Sequence, residues 1–88
     1  MPLDDLKRSP RVVGAKQVRK ALARGIVNKV YIAGDAEPHV VEPIKQLCHK
    51  HQVGFEMVNS METLGEACGI DVGSATVALL DNMGKEVQ

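Results

Sequence analysis

Segments of two hydrophobic periodicities alternate along this chain of 88 residues, and their alternation limits the folds that it can adopt. Short apolar, β-branched runs predict strands, whereas apolar residues spaced by three or four positions predict amphipathic helices. The expected strands span residues 11–13, 29–33, 53–58 and 76–80, and the expected helices span 15–24, 38–51 and 61–68. This βαβαβαβ order is typical of α/β proteins. It predicts a mixed or parallel sheet between two layers of helices, a three-layer α/β/α sandwich.

Glycine, proline and serine residues mark the ends of the predicted helices. Gly25 and Gly69 are placed to end the first and third helices, because glycine readily adopts the left-handed conformation of a C-terminal cap. Pro38 suits the first position of the second helix, and Ser60 is expected to cap the third. Pro43 lacks the N–H that a helix interior requires, so we expect it to kink or split the second helix.

Length and composition limit how the chain is organised. A chain of this length suffices for a single core, which we assign to residues 11–82. Residues 1–10 are polar with two prolines and predict a flexible N-terminal arm, and residues 83–88 predict a polar tail. No segment has the apolar length of a signal peptide core or a membrane span, and two cysteines are too few for a disulfide framework. We expect a cytoplasmic protein with reduced thiols and no membrane partner.

The formal net charge is zero, but the charges are divided unevenly along the chain. Residues 1–29 contain eight Lys or Arg and two Asp, a net charge of +6. Residues 30–88 contain three Lys and nine acidic residues, a net charge of −6. This separation shapes the electric field that a partner meets rather than the fold. Aromatic residues make up only 2% of the chain, which argues against a platform of stacked rings for single-stranded nucleic acid.

The first predicted helix carries much of the basic excess on one face. Lys16, Lys20 and Arg24 follow one another at intervals of four, so they stack along the helix and repel one another. Folding does not require such a row, although a charged row is often only a solvated helix face. Gly14 precedes the helix in a strand–glycine–helix junction, where free N–H groups can bind anions. Gln17 adds an amide that can donate to and accept from base edges. The segment is therefore a candidate nucleic-acid site.

Other side chains give weak signals for metal binding or catalysis. Cys48, His49 and His51 form a C-H-x-H pattern that does not match a usual zinc spacing, and a buried cysteine beside solvated histidines explains it. Neither cysteine has a recognisable base motif near it. The glycines at 65, 69 and 73 do not follow a strand, as phosphate-binding glycines do. We predict no metal, no cofactor and no enzymatic activity.

Three segments are recognisable together: GAKQVRK at 14–20, VYIAGDAEP at 30–38 and LGEACGIDV at 64–72. In this order and separation they resemble motifs of the ribosomal protein L7Ae family of kink-turn RNA-binding proteins, and the short chain resembles its bacterial members. The resemblance implies a four-stranded sheet within the α/β/α sandwich. It also implies that the first helix enters the widened major groove of a sharply bent RNA, beside tandem sheared G·A pairs.

The resemblance also implies which residues contact RNA. The first family motif commonly reads G-x-N-E-x-x-K, so Gly14 and Lys20 match it while Lys16 and Gln17 replace the Asn and Glu. Glu37 matches a position near a flipped-out nucleotide, and the loop 70–75 matches a second contact segment that covers exposed bases. The expected RNA-binding residues are Gly14, Lys16, Gln17, Arg19, Lys20, Arg24, Glu37, Ile70, Asp71, Val72, Gly73, Ser74 and Ala75.

The resulting functional hypothesis is a monomeric, ribosomal or ribosome-associated protein that stabilises kink-turn RNA, with no DNA partner expected. Two alternatives remain open at this point. The first is a protein-interaction module of the same fold, whose basic face meets an acidic protein surface, since Lys16 and Gln17 alter the usual base-reading pair. The second is a small enzyme or metal protein.

Overall fold

The computed structural model of the protein describes residues 10–81. The predicted arm, apart from Pro10, and the predicted tail lie outside the described residues. Strands and helices alternate as the sequence predicts, and we number them in chain order: β1 (Arg11–Val13), α1 (Ala15–Arg24), β2 (Val27–Ala33), α2 (Pro38–Lys50), β3 (Phe55–Val58), α3 (Met61–Cys68) and β4 (Thr76–Leu80).

The four strands form one mixed sheet in the order β1-β4-β2-β3. The last strand is therefore central, with β1 and β2 antiparallel to it on either side, and β3 lies parallel to β2 at the edge. Val13 pairs with Val77, and Tyr31 pairs with Val77 from the other side. The expected four-stranded mixed sheet is confirmed. Because β4 begins in the middle of the sheet, the loop before it lies between the ends of β1 and β2.

Both faces of the sheet are covered by helices. Four consecutive residues of β2, from Val30 to Ala33, are buried, and successive side chains of a strand point to opposite faces. Helices α1 and α2 pack against each other, whereas α3 packs against β2, β3 and β4. The arrangement is the predicted three-layer α/β/α sandwich, with an almost wholly aliphatic core. Between residues 10 and 81, no helix has the combined length and apolar character needed to cross a bilayer.

Two strands differ from their predicted limits because of their neighbours. Strand β2 begins at Val27 rather than at Lys29, since Val27 pairs with Leu80 across an irregularity in the ladder. Strand β3 begins at Phe55 rather than at Val53, because the N–H of Val53 donates to the carbonyl of Cys48 at 2.8 Å and belongs to the end of α2. These changes come from pairing partners that hydrophobic periodicity does not reveal.

Helix α2 continues through Pro43 as one helix of 13 residues, so of the two expected effects of Pro43 the split was wrong, whereas a kink stays a prediction. Pro43 is the sixth residue of the helix, and its ring removes only the hydrogen bond to the carbonyl of His39. His39 is exposed, so water can take the place of the lost donor. Val41, Ile44 and Cys48, which are buried, hold both sides of the proline against the core.

The ends of α1 and α3 follow the predicted caps. Gly25 and Gly69 adopt the left-handed conformation with φ of 73° and 77°, and each N–H donates to carbonyls of the last helical turn. At the start of α3, the hydroxyl oxygen of Ser60 accepts a hydrogen bond from the N–H of Thr63 at 3.0 Å. These contacts fix where α3 begins and ends, and thereby fix the loop that follows it.

Replacing Ser60 by alanine is expected to lower the free energy of unfolding by about 1 kcal/mol, because the N–H of Thr63 loses its acceptor. Ser60→Asp keeps an acceptor at the same position and should retain most of the stability. Urea denaturation of the three proteins measures the difference. Equal losses in both variants would contradict the capping role.

Candidate nucleic-acid interface

Helix α1 presents a positive face to solvent. Its buried side consists of Val18, Ala21 and Leu22, and its exposed residues include four cations that together form what we call the basic face: Lys16, Arg19, Lys20 and Arg24. The helix contains no acidic residue, and no carboxylate of residues 10–81 forms an ion pair with any of the four. Their charges are therefore available to an anionic partner rather than used within the described fold.

The start of α1 adds to this positive field. Gly14 is the N-cap, and its backbone φ of 99° is a value that residues with a side chain rarely adopt. No side chain caps the helix. The N–H of Gly14 donates to the carbonyl of Thr76 at 2.9 Å, which anchors the helix start to β4. The N–H groups of the first turn, together with Lys16, can face an anion here. Gln17 is exposed in the same turn and brings its amide to this position.

The basic face is long rather than compact. At 1.5 Å per residue, Arg24 lies about 12 Å farther along the helix axis than Lys16. Gln17 and Arg19 are two residues apart and therefore point to nearly opposite flanks of the exposed side. Gln17, Lys20 and Arg24 share the flank toward β1, whereas Arg19 lies on the other flank. The predicted basic residues can thus contact several successive phosphates, but they cannot all converge on the same phosphate.

The loop 70–75 lies beside the start of α1. The carbonyl of Ala75 accepts a hydrogen bond from the N–H of Ala33, and Thr76, which follows it, accepts from Gly14. These two bonds bring the loop to the same end of the sheet as the helix start. A ligand that contacts the first turn of α1 can therefore reach this loop as well.

The side chains of the loop 70–75 differ in what they offer to a ligand. Val72 is 70% exposed, an unusual position for an apolar side chain, and Asp71 and Gly73 are also exposed. Ile70 and Ala75 are half-buried against the core. Ser74 is buried, and its hydroxyl donates to the carbonyl of Thr76 at 2.8 Å. The side chain of Ser74 therefore points into the protein, whereas the side chain of Val72 points into solvent.

Helix α3 holds this loop by close backbone contact at Gly65, which sequence reasoning did not select. A Cβ atom on Gly65 would overlap the carbonyl oxygen of Val72 and crowd the Cα of Gly73. The N–H of Ile70 donates to the carbonyl of Gly65 at 3.1 Å, and the N–H of Ser74 donates to Met61 at the same distance. The available signal was a glycine inside a helix, which costs about 1 kcal/mol relative to alanine and suggests a close approach.

The loop between β2 and α2 completes the same end of the sheet. A carboxylate oxygen of Asp35 accepts a hydrogen bond from the N–H of Met61 at 2.8 Å and so joins this loop to the start of α3. Glu37 is the exposed N-cap residue of α2, and its carboxylate lies 3.4 Å from the Nε2 atom of His39. The sequence singled out Glu37 but not Asp35, whose role is to position the surrounding segments.

Two other basic residues are used within the fold. A guanidinium nitrogen of Arg11 donates to the carbonyl of Cys68 at 2.8 Å, so Arg11 joins β1 to the C-terminal end of α3. Lys29 forms an ion pair with Glu56 at 2.7 Å and lies 5.2 Å from the centre of the Tyr31 ring. The hydrogen bond to Glu56 raises the pKa of Lys29. Of the described basic residues in the first third of the chain, the free ones are therefore those on α1.

The cysteines are structural. Cys48 and Cys68 are buried free thiols, and burial raises the pKa of both. For Cys68, the nearby Arg11 opposes part of this rise. Thiols of this kind stay protonated at neutral pH and are poor nucleophiles. Among residues 10–81 there is also no group of three or more His, Cys, Asp or Glu side chains that could hold a metal ion.

Sequence comparison relates the chain to a known family. A sequence model of the ribosomal protein L7Ae/L30e/S12e/Gadd45 family matches residues 4–88. An RNA-binding protein of Caldanaerobacter subterraneus subsp. tengcongensis is 52% identical over 68 residues, which cover 77% of this chain and 83% of the relative. An RNA-binding protein of Halalkalibacterium halodurans shows the same identity and coverage. The RNA-binding protein YbxF of Geobacillus stearothermophilus is 39% identical over 69 residues, or 78% of this chain and 84% of the relative.

Structural comparison gives the same fold. The Giardia lamblia 15.5kD RNA binding protein superposes with a TM-score of 0.84 at 24% sequence identity, covering 98% of this chain and 76% of its own. A Bacillus halodurans C protein of unknown function superposes with a TM-score of 0.80, also at 24% identity, covering 97% of this chain and 89% of its own. At this identity the similarity is one of fold.

Proposed function

The chain belongs to the ribosomal protein L7Ae/L30e/S12e/Gadd45 family, and we propose that it binds RNA and stabilises the sharply bent kink-turn form. The observation that carries this proposal is the basic face of α1, whose cations have no acidic partner within residues 10–81. This face meets the loop 70–75 at the uncapped start of the helix. The names of the relatives, which describe RNA-binding proteins, point to the same class of ligand.

A bent RNA needs what this surface supplies. Folding the backbone sharply brings phosphates together, and their repulsion disfavours the bent state of free RNA. A protein shifts this equilibrium only by binding the bent form more tightly than the straight one. Lys16, Lys20 and Arg24, spread along about 12 Å of helix, can neutralise phosphates on both sides of a bend.

The contacts with bases come from the two ends of the proposed site. Gln17 offers both a donor and an acceptor to base edges from the first turn of α1. Val72 and Ile70 provide apolar surface for bases that the bend leaves unstacked, and the exposed backbone at Gly73 allows close approach of RNA. Glu37, at the start of α2, lies beside the same end of the sheet and can accept hydrogen bonds from an extruded base.

We further propose that the protein acts as a cytoplasmic monomer on ribosomal RNA or on another structured transcript, without performing chemistry. The buried, protonated thiols support this role, since they offer no activated nucleophile. A protein-interaction module with the same basic face is the competing function. Nuclease treatment of a lysate separates the two, because RNA binding predicts the loss of both RNA and co-captured protein, whereas an interaction module would retain its protein partner.

The decisive experiment compares a kink-turn oligonucleotide with a straight duplex of the same length and composition. We expect at least tenfold tighter binding to the kink-turn by calorimetric titration, because only the bent RNA meets α1 and the loop 70–75 together. If three to five phosphates are neutralised, the logarithm of the affinity should fall with the logarithm of the salt concentration with a slope of roughly −2 to −5. Equal affinity for the two RNAs would exclude kink-turn recognition.

A further inference from the structure

A groove of about 200 Å³ follows the flank of α1 that faces β1 and β4. Its apolar floor consists of Ala21, a buried residue of α1, and of three half-buried side chains from other segments: Val12, Ile26 and Leu80. Its rim belongs to α1 and consists of exposed polar and charged side chains: Gln17, Lys20 and Arg24. Neither cation of the rim has an ion-pair partner within residues 10–81.

We infer that this groove, which we call the flank groove, binds a single unstacked nucleotide of the RNA. The base would lie on the apolar floor, and its phosphate would meet Lys20 and Arg24. Gln17, at the end of the rim nearest the start of the helix, can bond to the base edge. Of the ligands that RNA binding brings to this surface, a nucleotide combines a planar apolar face with an adjacent negative charge, which matches the floor and the rim at once.

Other occupants match only half of the groove. A phosphate of a regular duplex would use Lys20 and Arg24 but would leave the half-buried floor in contact with water. An apolar side chain of another protein would cover Val12, Ile26 and Leu80 but would leave two cations without a counterion. The groove volume of about 200 Å³ is sufficient for one base.

The position of the groove specifies where the nucleotide comes from. Gln17 and Lys20 belong both to the groove rim and to the proposed contact face of α1, so the two surfaces are continuous. The groove opens on the β1 side of the helix, whereas the loop 70–75 adjoins the helix start. The bound nucleotide is therefore a different one from those covered by that loop. This inference rests on the proposed RNA binding and adds a specificity subsite to it.

The experiment removes one base at a time from the RNA and fills the groove in the protein. Abasic substitutions are scanned through the unpaired nucleotides of a kink-turn oligonucleotide and through those that flank them. Each RNA is titrated with wild-type protein and with Val12→Phe, whose larger side chain occupies the floor. Abasic positions at the loop 70–75 contacts should weaken binding of both proteins. One further position should weaken binding of the wild-type protein alone, about five- to tenfold, in the range of a base that loses its contact surface. Val12→Phe should bind the intact RNA more weakly than the wild-type protein does, by the same factor. Its affinity should not change further when that position is abasic.

A matched control and a second measurement keep the test independent of protein stability. Val53→Phe makes the same substitution at a half-buried position beside β3, at the opposite edge of the sheet, and should behave as the wild type does. In addition, 2-aminopurine placed at the sensitive position should change its emission on binding wild-type protein, which needs no variant. The inference would be overturned if the losses of affinity from Val12→Phe and from the abasic position simply added. It would also be overturned if no abasic position weakened binding of the wild-type protein alone. If an acidic peptide were the true occupant of the groove, no abasic position would weaken binding of the wild-type protein alone.

The groove and the kink-turn proposal can fail separately. Should wild-type protein bind kinked and straight RNA equally, kink-turn recognition fails, and the same comparison is made on a straight duplex with one unpaired terminal nucleotide. If the affinity of the wild-type protein depended on the base of that nucleotide, and the affinity of Val12→Phe did not, the result would still support the groove. Tight kink-turn binding without dependence on any single base outside the loop contacts would retain the proposed function and exclude the groove.

Discussion

Replacing Gly65 by alanine is expected to weaken kink-turn binding at least tenfold and to lower the free energy of unfolding by up to about 2 kcal/mol. The added methyl group would overlap the carbonyl oxygen of Val72, which belongs to backbone and cannot rotate away as a flexible side chain could. Forcing atoms into a filled space costs roughly 1–3 kcal/mol, and the better helix propensity of alanine returns about 1 kcal/mol. The loop 70–75 must shift, and Val72 leaves the position where it would meet RNA.

Affinity and stability have to be measured separately for this variant, by calorimetric titration and by urea denaturation. Ala67→Gly is the matched control, because it lies in the same helix and loses about 1 kcal/mol by propensity without pushing on the loop. It should retain wild-type affinity at a temperature where both variants are folded. Full affinity in Gly65→Ala would show that the geometry of this loop does not matter for binding.

The features that sequence reasoning predicted well are those determined by neighbouring residues. The caps at Gly25, Ser60 and Gly69 depend on conformations and hydrogen bonds within a few residues, and the structure contains all three. The same holds for the exposed and buried sides of α1, because helical periodicity alone separates Lys20 from Val18. Alternation left both a mixed and a parallel sheet open, and it did not give the strand order β1-β4-β2-β3, because strand pairing joins segments far apart in the chain.

The features that the sequence did not reveal depend on segments far apart in the chain. Nothing near Gly65 indicates that Val72 passes over it, and nothing near Arg11 indicates that its guanidinium reaches Cys68 at the end of α3. Ser74 lies within a loop of expected RNA contacts, yet its hydroxyl is bonded inside the protein. Residues of one motif can therefore have different roles, and only tertiary contacts separate them. Which of the thirteen expected residues touch RNA stays a prediction.

Removing both Lys16 and Lys20 is expected to weaken kink-turn binding about 30-fold at 0.1 M salt while leaving the fold intact. Each charge-assisted contact is taken to contribute about 1 kcal/mol, so two contacts correspond to roughly 2 kcal/mol and this factor. The two side chains are exposed and have no acidic partner among residues 10–81, so Lys16→Ala/Lys20→Ala loses no stabilising ion pair there. Relief of like-charge repulsion along α1 should even raise the melting temperature slightly.

The salt dependence distinguishes direct phosphate contacts from a general loss of positive charge. Two lost contacts should make the slope of log affinity against log salt shallower by roughly 1.4–1.8. Lys45→Ala/Lys50→Ala changes the net charge by the same amount on α2 and serves as the control. Since Lys45 and Lys50 lie in the second half of α2, away from Glu37 at its start, this control should keep the wild-type slope and lose affinity at most severalfold through the long-range field. Equal slopes in the two double variants would mean that the RNA senses only the net charge of the protein. The basic face of α1 would then be no more than a solvated helix surface.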